Sequence, residues 1–220
     1  HRQRRCRGDS LHQGGTLMVA IVDYGVGNLF SLHSSFKAVG EESCVTSDPE
    51  VIEGADRLVL PGVGAFGDAA KKLRSHGLDE IVCQQVAKGK PLLGICLGMQ
   101  LLFEKSYEYG EHLGLGLIPG EIRPIAEVIP AGLKIPHIGW NALSFRKSSP
   151  LFGELKEGDF VYFVHSFHAV HCSESVSAVT EYGGTSTAAA EKDHVFGCQF
   201  HPEKSGEKGL AILKAFCAVK

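Results

Sequence analysis

Residues 90–105 read Lys-Pro-Leu-Leu-Gly-Ile-Cys-Leu-Gly-Met-Gln-Leu-Leu-Phe-Glu-Lys. Pro91, Leu92, Leu93 and Ile95 form a short apolar run, the pattern of a buried strand. Leu97, Leu101 and Leu102 follow at the spacing of an amphipathic helix. Cys96 stands at the join, with Gly94 and Gly98 two residues to either side. A Gly-x-Cys-x-Gly frame between strand and helix is the thiol form of a nucleophile elbow. The glycines leave room for close backbone approach, and the turn lifts the side chain out of the sheet. The helix start behind it favours a thiolate and offers N–H groups to an oxyanion, Leu97 first among them. Taken alone, the same residues also describe a buried structural cysteine between two packing glycines.

A second segment changes that balance. Residues 195–204 read Val-Phe-Gly-Cys-Gln-Phe-His-Pro-Glu-Lys. The apolar run reads as a strand with His201 at its end, and Pro202 turns the chain because it cannot extend a ladder. Glu203 then lies within reach of His201. The expected unit is a triad in which Cys96 attacks, His201 moves the proton and Glu203 orients the imidazole.

The strands and helices around these segments alternate. Strands are expected at residues 18–23, 43–46 and 57–60, with helices at 29–39, from Pro49 onward, at 68–75 and at 78–87. Asp48 reads as a helix cap with Pro49 at the first helical position. This alternation predicts an α/β fold, a flavodoxin-like, doubly wound, mainly parallel sheet. In such sheets sites collect at the carboxyl ends of strands, where both the elbow and the glycine-rich loop Pro61–Gly67 fall. From Leu113 onward, glycine and proline punctuate short apolar runs. These predict an added antiparallel, β-rich half, closed by a helix over 207–219.

The 220 residues suit one domain with a full core. Hydrophobic residues at 44% and charged residues at 21% are ordinary for a water-soluble globular chain. The first 17 residues stand apart, with four arginines against one aspartate, a net +3. Set against −3 for the whole chain, this leaves −6 for residues 18–220, which is no nucleic-acid footprint. Residues 1–17 are expected to be a basic tail, disordered or not native to the domain, since Met18 opens the first strand. No stretch reaches membrane-spanning length. The seven cysteines show no close-spaced pair, an arrangement expected of reduced thiols in the cytoplasm. His165, His168 and His171 recur every third residue, which on a strand sends neighbours to opposite faces, so no metal site is expected. The glycines of Pro61–Gly64 lack the lysine of a phosphate loop, so nucleotide binding is not expected.

With these motifs on the page, the chain resembles the class I (triad) glutamine amidotransferases from about Met18 to its end. Gly94–Gln100 and Phe200–Glu203 carry the resemblance. Asp23–Asn28, Pro61–Gly67, Pro136–Asn141 and Tyr162–Phe167 narrow it to the glutaminase subunits of imidazole glycerol phosphate synthases. The resemblance implies hydrolysis of L-glutamine to glutamate and ammonia through a Cys96 thioester, without a cofactor. It implies that ammonia goes to a separate cyclase subunit, as a heterodimer, in histidine biosynthesis. It assigns a second backbone oxyanion donor to Gly62 or Val63. Gln100, Glu108 and the backbone of Ser166 and Phe167 become contacts of the substrate. Asn28, Trp140, Tyr162 and Lys204, beside the triad but outside it, are expected at the partner interface. The stretch 144–158 matches nothing specific, and Ala65 departs from some relatives.

Three rivals stand beside this reading. The same chemistry would serve another synthase, such as one making anthranilate or pyridoxal phosphate. A flavodoxin-like binding module would carry an inert thiol, which the presence of His201 and Glu203 speaks against. A cysteine peptidase or esterase would use the same triad, because fold and triad do not set the acyl substrate.

Overall fold

The computed structural model describes residues 17–220, so all but the last residue of the expected basic tail lies outside the described residues. The first half alternates as the sequence predicts: β1 (Met18–Val22), α1 (Leu29–Ala38), β2 (Glu42–Thr46), α2 (Pro49–Gly54), β3 (Arg57–Leu60), α3 (Phe66–Ser75), α4 (Leu78–Ala87), β4 (Leu92–Ile95) and α5 (Leu97–Gln100). Asp48 caps α2 by accepting the Glu50 N–H at 2.9 Å, with Pro49 in the first turn. The second half is built of short strands: β5 (Lys105–Ser106), β6 (His112–Leu113), β7 (Glu121–Pro124), β8 (His137–Ala142), β9 (Ser144–Phe145), β10 (Phe160–His165), β11 (Phe167–Val170), β12 (Val176–Glu181), β13 (Thr185–Lys192) and β14 (Val195–Cys198), before α6 (Gly206–Cys217).

The main sheet has the order β2-β1-β3-β4-β14-β13-β12-β9. Its first five strands are mutually parallel, and β13, β12 and β9 extend it by antiparallel pairing. Alternation along the strands sorts their side chains between two buried layers. Ala20, Val22, Leu58, Leu60 and Leu92 face one, together with residues of α2, α3 and α4. Val19, Ile21, Val59, Leu93 and Ile95 face the other, with Leu32 and Phe36 of α1 and Ile212, Leu213 and Phe216 of α6. Each fully buried side chain of this size contributes about 1.5–3 kcal/mol. A two-stranded ribbon, β8 with β10, and a four-stranded sheet, β11-β7-β5-β6, complete the β-rich half.

Two expectations need correction. The helix after Cys96 is a single turn, not a longer amphipathic helix. Its continuation is bound by another segment: the carbonyls of Leu101, Leu102 and Phe103 accept N–H groups of Leu115, Leu117 and Gly116 at 2.8–3.1 Å. Those lateral bonds replace the helical ladder, so Leu101 and Leu102 are buried by cross-chain packing rather than by a helix face. The thiols are also not uniformly reduced. Cys83, Cys96, Cys172, Cys198 and Cys217 are free, whereas Cys44 is disulfide-bonded.

The stretch 144–158, featureless in sequence, provides β9 and a short 3₁₀ turn at Pro150–Phe152. Leu151, Phe152 and Leu155 bury themselves in the α6 layer. Among the described residues, no helix is long and apolar enough to cross a membrane.

Candidate active site

The elbow is formed as drawn from the sequence. Cys96 follows β4 with φ +55°, a left-handed conformation costly for a residue with a Cβ. Its neighbours explain how the strain is held. A Cβ on Gly98 would run into the carbonyl of Leu60 at the end of β3, and one on Gly94 would stand 2.7 Å from the Gly98 oxygen. Only glycine lets these backbones approach so closely. The sulfur ends near the Val164 carbonyl (3.7 Å) and the Gln199 side-chain amide, whose Nε2 donates at 3.8 Å.

Parallel pairing brings the base to the nucleophile. β14 lies beside β4 with Cys198 opposite Ile95, so the chain leaving β14 emerges where Cys96 does. His201 is pinned by its own N–H to the Tyr162 carbonyl at 3.0 Å. Its Nδ1 donates to Glu203 Oε1 at 2.7 Å, which leaves Nε2 free to work on Cys96. Both side chains are almost wholly buried, and Glu203 Oε2 has no partner among the described residues. Burial works against the imidazolium, but the hydrogen bonds and charges of Cys96 and Glu203 outweigh it and push His201 up to about 10. Cys96 therefore faces an imidazole that its surroundings favour in the protonated form. Among the other free cysteines, burial pushes the Cys198, Cys217, Cys172 and Cys83 thiols up.

The Pro61–Gly67 loop closes over the elbow. A Cβ on Gly62 would lie 2.8 Å from the Tyr24 hydroxyl and 2.9 Å from the Gly98 nitrogen, so Gly62 is wedged against the nucleophile turn. Among the described residues, the N–H groups of Leu97 and Val63 take part in no hydrogen bond. Tyr24, whose role sequence reasoning missed, donates its hydroxyl to the Pro61 carbonyl at 2.6 Å and holds the loop. Burial, and then the nearby Cys96, raise its pKa well beyond the ordinary tyrosine range.

A cavity of about 260 Å³ opens on the sulfur. Val63, Leu97, Gln100, Glu108, Ser166, Phe167, His201 and Lys204 line it, so most of the residues singled out from the sequence meet there. Gln100 is nonetheless occupied: its Nε2 donates to Gln199 Oε1 (3.1 Å) and the Phe167 carbonyl (3.4 Å). Glu108 accepts the Phe66 N–H at the start of α3 (3.2 Å). Burial raises its pKa, with that hydrogen bond opposing. His165, Val164 and Pro136 also line the cavity and were not assigned to it from sequence. The three spaced histidines do not converge. His165 is at the cavity, His168 is buried with both ring nitrogens unpartnered, and His171 pairs with Glu121 at 3.1 Å. Among the described residues no group of three His, Cys, Asp or Glu is arranged for a metal.

Of the four residues expected at a partner surface, Lys204 alone borders the cavity. Asn28 precedes α1 without a side-chain capping bond. Trp140 and Tyr162 sit opposite each other on the β8–β10 ribbon with their rings 5.8 Å apart. Trp140, Ile138 and Phe160 are each more than half exposed, so this ribbon presents an apolar face. Its Val164 end reaches the cavity.

Residues 20–219 match the family model described as glutamine amidotransferase class-I. The imidazole glycerol phosphate synthase subunit HisH of Aquifex aeolicus is 52% identical over 202 residues, covering 91% of this chain and 96% of its own. That of Wolinella succinogenes is 51% identical over 204 residues, covering 92% and 100%. Among solved structures, PurLQS from Thermotoga maritima aligns with a TM-score of 0.72 at 19% identity, over 92% of this chain and 98% of that one. A structure titled as a glutamine amidotransferase aligns at 0.70 and 21%, over 91% and 99%. At such identities the structures speak for the fold alone.

Proposed function

The chain belongs to the class I glutamine amidotransferase family, and from that premise we propose how its residues carry out the reaction. It is the glutaminase subunit of an imidazole glycerol phosphate synthase. It hydrolyses glutamine and supplies the ammonia to a cyclase subunit in histidine biosynthesis.

Cys96 is the nucleophile, activated by His201 with Glu203 as orienter; the observation that carries this is the strained Cys96 sharing one cavity with His201, whose ring is held by the buried Glu203. The thiolate attacks the side-chain amide carbon of glutamine. The amide oxygen becomes an anion that the N–H groups of Leu97 and of Gly62 or Val63 receive, and losing one such donor costs about 2.7–4 kcal/mol of barrier. The imidazolium of His201 protonates the departing nitrogen as the C–N bond breaks, leaving a Cys96 thioester and ammonia. His201 then takes a proton from water, whose oxygen attacks the thioester, and glutamate leaves with Cys96 restored. Glu108 faces the α-amino group, and the Ser166–Phe167 backbone faces the α-carboxylate. The Gln100 side chain spans the distance between Phe167 and Gln199 and supports that wall.

The cyclase is a separate chain in a heterodimer and docks on the apolar ribbon face with Trp140 and Tyr162, reaching to Asn28 and Lys204. Exposed aromatic clusters of this kind are typical of partner contacts. The site of action is the cytoplasm, in keeping with biosynthetic relatives. Ammonia release from glutamine, measured with candidate synthase partners added one at a time, tests the assignment. A response to the cyclase supports it, and a response to another synthase instead overturns the pathway.

A further inference from the structure

Behind the Ser166–Phe167 wall runs a chain of hydrogen bonds whose protons do not add up for neutral rings. His165 Nδ1 is 2.9 Å from the Phe167 carbonyl, which only accepts, so Nδ1 carries a proton. At the far end, Asn141 Nδ2 donates to the Glu181 carbonyl at 2.8 Å, which turns Asn141 Oδ1 toward His137 Nε2 at 2.9 Å. Nε2 of His137 therefore carries a proton as well. Between them His137 Nδ1 and His165 Nε2 lie 3.1 Å apart. With each ring neutral, both of these nitrogens present lone pairs to each other. Turning over the Asn141 amide only moves the conflict to the Glu181 carbonyl. Turning over the His137 ring takes both its nitrogens from their partners.

We propose that His137 and His165 share one excess proton when substrate is bound, and that this buried charge, behind the cavity wall, acts across space as the counter-charge of the substrate's α-carboxylate. The inference rests on the glutaminase reading. It adds to that reading a charged group for a carboxylate that backbone alone would otherwise hold.

The surroundings favour a charge that arrives with the ligand. His137 is clamped between the rings of Tyr182 (4.1 Å) and Phe163 (5.2 Å), both nearly parallel to it. The titratable groups facing the pair are His168 on β11, His201 beyond β14 and Tyr182 after β12, none of them a carboxylate, while Cys96 and Glu108 share the cavity that His165 lines. Among the described residues no carboxylate is paired with either ring. Burial accordingly pushes both histidines down, His165 to about 4, so the empty site holds the pair neutral with its lone pairs opposed. His165 lines the cavity, and Glu108 lines it too. A zwitterionic substrate thus meets an acid for its ammonium, and its carboxylate supplies the missing counter-charge at His165. Both ring nitrogens of His165 stay engaged, with the Phe167 carbonyl and with His137, so the carboxylate acts across space, and the proton it stabilises removes the lone-pair conflict between the rings. One proton enters from solvent as the ligand binds, so affinity is highest at low pH and falls as pH rises through the pKa of the liganded pair.

The test uses the complex with the cyclase, carrying Cys96→Ala to prevent turnover. Glutamine is titrated calorimetrically in buffers of different ionisation enthalpy, beside its α-carboxamide analogue. The expected result is uptake approaching one proton with glutamine and none with the analogue. Changing His137 to Gln should abolish the uptake and raise the glutamine Kd by about tenfold or more, while leaving the analogue's Kd unchanged. Glutamine binding without proton uptake, or uptake that persists in His137→Gln, overturns the shared proton. Turnover by the wild-type complex is run alongside: turnover with no uptake overturns this inference alone, whereas no turnover overturns the glutaminase reading with it.

Discussion

The N–H of Cys96 donates to the carbonyl of Cys198 at 2.8 Å, so the nucleophile is tied by its own backbone to the strand that delivers the base. The sulfur and the imidazole are therefore set by one sheet register rather than by two independent loops.

Selective activation follows for the thiol at the elbow. A glutamine-like chloroketone should label Cys96 and spare Cys83, Cys172, Cys198 and Cys217, whose thiols burial holds protonated. Peptide mapping of the labelled protein reads the outcome. Equal labelling at Cys83 or Cys198 speaks against a privileged Cys96. Cys96→Ser should abolish glutaminase activity and leave the unfolding midpoint within experimental error, since the side chains differ little in size.

The three members of the triad should fail as a unit. Cys96→Ala with His201→Ala should be about as inactive as either change alone, because neither group works without the other. A multiplicative loss in steady-state ammonia release would place His201 in a separate role.

Titration of His201 gives a signed prediction. Its pKa in the folded chain, about 10, lies above the ordinary 6.5. The stability it contributes is thus whole below about pH 6.5 and is lost as pH rises through about 10. NMR of the ring should find it protonated at pH 8. In Glu203→Gln the midpoint should move down, as one of the two supporting hydrogen bonds loses its charge. A midpoint unmoved by that change would mean Glu203 does not support the imidazolium.

Gly98→Ala should inactivate and destabilise together. The new methyl meets backbone at Leu60, not a yielding side chain, and overpacking of this kind typically costs about 1–3 kcal/mol. Denaturant melts and ammonia assays check both. Gly25→Ala, at a position with open space but φ +94°, should cost stability through backbone strain without a packing clash.

Coupling to the cyclase should be strong. The isolated chain should turn over glutamine slowly, and the cyclase with its nucleotide ligand should accelerate it by more than tenfold, or over about 1.4 kcal/mol. Trp140→Ala or Lys204→Ala should weaken the acceleration and spare Cys96 labelling. An isolated chain already at full rate would separate it from the histidine pathway.

The parts legible in the sequence were those whose signal is local. The β4–Cys96 elbow, the Asp48 cap and the His201-Pro202-Glu203 turn each occupy a few consecutive residues with their own steric logic. The register that sets β14 against β4 was not legible, because an apolar run names no neighbour. The one-turn α5 was misread because the carbonyls beyond it are taken by Gly116 and its neighbours, a long-range bond that no periodicity shows. Tyr24 and His165 were missed as site residues for a related reason. Each acts through a polar contact with a segment distant in sequence, Tyr24 with Pro61 and His165 with His137, which neither a motif nor a residue spacing shows.

The place of β14 in the sheet order has a bearing on biosynthesis of the protein itself. It is inserted between β4 and β13, and it leaves the ribosome after every other strand of that sheet. A growing chain can display the Cys96 thiol for as long as translation takes from there to His201, yet has nothing to draw off its proton. Competence arrives only when β14 slots home, so a product truncated or stalled before it is silent toward glutamine rather than wasteful of it.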